Sequence, residues 1–147
     1  MSYNIRHARG MDNKLDLHRL ARFIQEQDPD IIGLQEVDCC FSERSEYMDQ
    51  AAFMAKFLHM EYVYGGSIVY EPTAASGGHP RKHGAAILSK HPIISSKQYL
   101  YEHYVGNKRE LLEAVIAFAG NKIAFYSTHL GLNAEERKKQ AEELMQI

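Results

Sequence analysis

No sign of charge dominates this chain of 147 residues. Seventeen Lys and Arg stand against nineteen Asp and Glu, a formal net charge of −2. That balance excludes a polycation that coats nucleic acid wholesale, so an anionic substrate must be met by basic residues gathered locally. Long apolar runs are missing as well. None approaches the ~20 residues that a membrane span needs, and the opening MSYNIRHARG has no apolar core of the secretory kind. Cytoplasm is therefore the default expectation. Cysteine is scarce: Cys39 and Cys40 are adjacent, which suits neither an ordinary disulfide nor a zinc knuckle, and they read as two plain thiols. Internal repeats and low-complexity tracts are absent. What remains is ordinary globular material, 45% hydrophobic and 24% charged, of a length that makes one domain with one core.

The pattern along the chain predicts an α/β fold with a mixed sheet and flanking helices. A strand over 2–6 and a polar turn around Gly10 to Asn13 lead to a helix capped by Asp16. Leu17, Leu20, Ala21 and Ile24 recur at helical spacing, and Asp28-Pro29 ends the helix. A buried strand over 30–37 follows, so the first forty residues read as a parallel βαβ unit. A second helix is expected over 46–60, with Tyr47, Ala51, Met54, Ala55 and Leu58 on one face. Short strands are expected at 62–64 and 67–70, then a loop over 71–83 that holds two of the four prolines. Strands over 85–88, 93–101, 111–118 and 122–129 come next, the last two joined by a tight turn at Gly120-Asn121. Asn133 and Glu136 form an approximate capping box for a closing helix.

Chemistry concentrates where strands end. In DIIGLQEVD an apolar strand terminates in Gln35-Glu36, and the carboxyl rim of a parallel sheet is where ligands bind. Asn4, on the neighbouring strand, reaches the same rim. A carboxylate beside a carboxamide offers hard oxygens, and Mg2+ accepts one or two protein carboxylates while keeping waters and substrate phosphate oxygens. A glutamate that merely caps the strand or pairs with an arginine is an equal reading of that segment. His129 ends a later strand in YSTHLGLN, where an isolated histidine is more often structural than catalytic. Arg109 opens the strand before it and suits either bidentate phosphate binding or a pair with Glu110 or Glu113. His79, Arg81, Lys82 and His83 make the 71–83 segment basic. Pro80 argues against a helical zinc chelate there, and a solvated loop that touches phosphate competes with a merely solvated one.

Together these segments resemble the endonuclease/exonuclease/phosphatase superfamily, which includes deoxyribonuclease I, sphingomyelinases and inositol-polyphosphate phosphatases. The stretch SYNIRHARGMDNKLDLHRLARFIQEQDPDIIGLQEVD is similar to its opening. DQAAFMAKFLHMEYVYG, HGAAILSKHPI, KRELLEAVIAF and FYSTHLGLNAEERKKQAEEL follow in the family's order, and the likeness covers essentially the whole chain. The resemblance implies a four-layer α/β sandwich of the deoxyribonuclease I type. It implies a Mg2+ (or Mn2+) site at Glu36 with Asn4 beside it, His129 near the scissile phosphate, and Arg109 holding phosphate. It also implies hydrolysis of a phosphodiester or phosphomonoester by metal-assisted attack of water.

The departures shape the remaining expectations. The family's later Gly-Asp-Phe-Asn and Ser-Asp-His segments do not occur, so residues 1–147 are expected to form the N-terminal half of such a sandwich, a single domain truncated at its C-terminal side. Ala8 stands where glycine is usual, and Ala85 where asparagine is common. The substrate could be nucleic acid, a phospholipid head group or a sugar phosphate. Two alternatives stand beside the enzyme: a binding module that keeps the phosphate-facing rim without turnover, and a half-domain that forms a homo-oligomer through an uncovered sheet face.

Overall fold

The Asp16 carboxylate accepts a hydrogen bond from the Arg19 amide (2.8 Å) and starts α1 (Leu17–Gln27). The computed structural model describes residues 1–147. Leu17, Ala21 and Ile24 are buried on one face of α1, as their spacing predicts. Before it lies β1 (Ser2–Asn4) and after it β2 (Ile31–Cys39), paired in parallel with Asn4 opposite Gln35. α2 (Gln50–Leu58), β3 (Glu61–Tyr70), β4 (Arg81–Ser89), β5 (Ile93–Leu100), β6 (Glu110–Phe118), β7 (Asn121–Thr128) and α3 (Ala134–Leu144) complete the chain. No helix is long and apolar enough to cross a membrane.

Two sheets result. One is mixed, with strand order β1-β2-β4-β3; the other is antiparallel, with order β5-β6-β7. Strand alternation gives the first sheet two apolar faces. Ile32, Leu34, Ala86 and Leu88 pack with Ile24, Ala51 and Met54 of α1 and α2. Ala85 and Ile87 face the second sheet, where Leu112, Ala114 and Ile116 of β6 meet them. Gln35 lies between the sheets and donates to the Ser127 hydroxyl of β7 (3.0 Å). α3 lies beyond the second sheet, its Leu144 beside Leu111 and Thr128. Helices, sheet and sheet follow one another as layers, and α3 packs its buried Glu136 and Gln140 on the loop backbone at His103, Val105 and Gly131.

Several boundaries move. α2 begins at Gln50, not Glu46, because Glu46 and Tyr47 take left-handed backbone (φ 53° each) and Asp49 caps the helix by accepting from the Ala52 amide. The strands expected at 62–64 and 67–70 are one strand, continuous through Gly65-Gly66 with an irregularity before Ile68. The β6–β7 turn is Ala119-Gly120, one residue earlier than expected. Both residues have positive φ (48° and 79°), the two-residue turn whose twist matches a hairpin. Cys39 and Cys40 are free thiols, and burial helped by Asp49 pushes Cys39 up to about 12.

Both faces of the first sheet are covered. The outward face of the second places Lys97 beside Glu113 and Glu113 beside Tyr126. Tyr99 donates to the Glu113 carboxylate on that face, and Lys97 lies 4.3 Å over the Tyr99 ring.

Candidate active site

Glu36 owes its direction to a bulge. Leu34 pairs with Ala86 and Val37 with Gly84, so Gln35 and Glu36 together oppose Ala85 alone. The extra residue returns Val37 to the helix-covered core and releases Glu36 from the strand's alternation. Glu36 itself takes φ 56°, a left-handed conformation that costs a non-glycine residue roughly 1–2 kcal/mol. Such strain is sustained only where neighbours hold it. Asn4 is one of them: its Nδ2 donates to Glu36 Oε1 (2.8 Å) while its Oδ1 accepts from the Arg6 amide (3.0 Å). After β1 the chain turns sharply through Arg6, His7 and Ala8, all left-handed. Ala8 has φ 64°, which explains why a glycine suits that position.

His129 follows β7 directly, and its Nδ1 lies 4.0 Å from Glu36 Oε1. Arg109 precedes β6, and its Nη1 donates to His129 Nδ1 (3.3 Å). A guanidinium has only hydrogens to give, so Nδ1 accepts and the ring proton sits on Nε2. Burial, reinforced by the Arg109 charge, lowers the His129 pKa below its ordinary value and favours this neutral form. Arg109 pairs with neither Glu110 nor Glu113. Glu36, Arg109 and His129 line one cleft, together with Lys108, His83 and Glu110. Asn4 stands behind Glu36, on a neighbouring groove.

The basic 71–83 segment does not act as a unit. Arg81, Lys82 and His83 are the first residues of β4, and only His79 belongs to the loop. Arg81 donates to the Glu71 carbonyl (2.9 Å), whereas the His83 Nδ1 lies 2.6 Å from Asp38. Of the four, only His83 reaches the cleft.

Glu110 is a cleft residue that sequence reading missed. It is buried, accepts from the Ala85 amide (2.8 Å) and from Gln98, and is pushed up to about 7 by burial. Space for it depends on a glycine pair: a Cβ on Gly84 would strike the Gly65 carbonyl and the Glu110 carboxylate. The sequence signal was a glutamate inside an apolar strand, next to Arg109.

The donor set fits a hard divalent cation better than zinc. No three His, Cys, Asp or Glu side chains gather closely enough to hold a metal alone. Glu36 offers one carboxylate whose Oε2 has no protein partner, the sparse protein contribution that Mg2+ tolerates. Asn4 positions Glu36 through Nδ2, while its Oδ1 accepts one hydrogen bond from the Arg6 amide.

The sequence model of the Endonuclease/Exonuclease/phosphatase family matches residues 1–143. The chain belongs to that family. Its fold is similar to an endonuclease/exonuclease/phosphatase from Beutenbergia cavernae DSM 12333 (22% identity, TM-score 0.79, 99% of this chain and 42% of that one). It is also similar to D. rerio TDP2 complexed with a single-strand DNA product (16%, TM-score 0.65, 98% and 50%). Sphingomyelinase C from Streptomyces griseocarneus is a third such structure (17%, TM-score 0.59, 89% and 53%). The chain thus spans about half the length of these family structures. Comparison with curated proteins gives no match.

Proposed function

We propose that this chain carries the catalytic rim of a divalent-metal-dependent phosphoesterase. The observation that carries the proposal is the convergence of Glu36, Arg109 and His129, from three distant segments, on one cleft at the strand ends. Family membership implies a hydrolase of the nuclease or phosphatase type. Glu36 would hold Mg2+ or Mn2+, steadied by Asn4. Such an ion, when bound, offsets the negative charge of the phosphoester and favours attack by water.

The protein's own groups do the rest. Arg109 spends one N–H on His129 and keeps others for phosphoryl oxygens. His129, with its proton on Nε2, donates a hydrogen bond to the same group. Lys108, also on the cleft wall, adds positive charge at the mouth. The substrate class is a phosphoester, with nucleic acid, a phospholipid head group and a sugar phosphate as the forms the family suggests.

Hydrolysis of bis(p-nitrophenyl) phosphate tests the reading. Turnover should require added Mg2+ or Mn2+ and vanish with chelator, and Glu36→Gln should lower kcat/KM by roughly 100-fold. Metal-independent turnover, or an unchanged rate in Glu36→Gln, would overturn it. Phosphate binding without turnover would identify a binding module instead.

A further inference from the structure

Asp38 is fully buried two residues beyond Glu36, and its carboxylate is held by Arg44 and His83. Arg44 donates to both oxygens (2.9 and 2.8 Å), and His83 Nδ1 approaches Oδ1 at 2.6 Å. Arg44 Nη2 also lies 3.1 Å from His83 Nδ1, but the carboxylate at 2.6 Å is nearer and can only accept beside its Arg44 pair, so Nδ1 donates to Asp38. Arg44 already neutralises the carboxylate in bidentate fashion, so pairing the buried charge does not by itself require His83.

Three features direct His83 toward the cleft. Its Nε2 makes no hydrogen bond within the protein, and the side chain keeps 16% of its surface exposed. The residue lines the same cleft as Glu36, Arg109 and His129. Both strands that flank β4 are irregular at this level: β2 between Leu34 and Val37, and β3 between Gly66 and Ile68, which pairs with His83. The extra residues, Glu36 and Ser67, also line the cleft. The sheet opens around His83 on both sides.

We propose that His83 is a further catalytic residue of the phosphoester site, a second imidazole whose Nε2 hydrogen-bonds the phosphoester group. Asp38 retains Nδ1–H and fixes the ring's orientation, much as a carboxylate orients the histidine of a hydrolase triad. Phe41 flanks the ring at 5.5 Å and limits its rotation. The assignment rests on the phosphoesterase reading above and adds a contact which that reading does not contain.

The test is a titration of the 15N-histidine-labelled chain with inorganic phosphate in the presence of Mg2+, followed by imidazole nitrogen NMR. The His83 signals are assigned by their loss in His83→Gln. The Nε2 resonances of His83 and His129 should move together along one saturation curve. Movement of His129 with His83 unmoved would overturn the proposal and leave the phosphoesterase reading intact. If neither moved, the phosphate site itself would be refuted, and the role of His83 with it.

Discussion

Glu36 shows how a single backbone conformation makes a site. With φ at 56° it leaves the strand's alternation, and Asn4 holds the released carboxylate at 2.8 Å. The orienting partner of a metal ligand typically contributes 10- to 100-fold in metal affinity. Asn4→Ala should therefore weaken Mn2+ binding by about 10-fold in titration calorimetry, with the circular dichroism spectrum unchanged because Asn4 is exposed. Equal affinity in the variant would remove Asn4 from the site. At this scale the placement of Glu36, Arg109 and His129 at strand ends was legible, because each is a polar residue closing or opening an apolar strand. Glu110 was legible only as a partner for Arg109, and His83 only as one of four residues in a basic loop. Their partners are Ala85 and Gln98 for one and Asp38 for the other, 12 to 45 residues away, and only strand register brings them together.

Elements differ in how well local pattern specified them. α1 was legible from Asp16 and the Leu17, Ala21 and Ile24 spacing, since cap and stripe agree. The start of α2 was not, because nothing in Glu46-Tyr47 announces two left-handed residues. β4 begins inside a stretch rich in glycine and proline, and the pairing of His83 with Asp38 across β2 outweighs that composition. Between the two sheets, Glu110 of β6 accepts from the Ala85 amide of β4 and so latches one sheet to the other. Its pKa of about 7 in the fold lies above the ordinary 4.5, because burial disfavours the charged form. The stabilisation linked to its proton is full below pH 4.5 and is lost as pH rises through 7. A shift of that size corresponds to about 3 kcal/mol across the interval. Glu110→Gln should match the wild type in urea denaturation near pH 5 and exceed its stability by about 1–3 kcal/mol near pH 8. A constant difference at both pH values would mean that Glu110 does not carry this linkage.

As a whole molecule the chain packs two sheets face to face, and the candidate site lies at one end of both. The first sheet supplies Glu36 and His83, and the second supplies Arg109 and His129 from the ends of β6 and β7. The cleft exists only because the sheets pack face to face through Ala85, Ile87, Leu112 and Ile116. That dependence on packing explains why sequence pattern indicated the rim residues separately but not the walls between them. It also makes the central claim a statement about place: metal and phosphate should meet in that cleft. Anomalous diffraction from crystals grown with Mn2+ and inorganic phosphate tests it most directly. One manganese peak should appear on the Glu36 carboxylate, with phosphate in contact with Arg109 and His129. Manganese bound elsewhere, with the Glu36 cleft empty at saturating ion and phosphate, would contradict it.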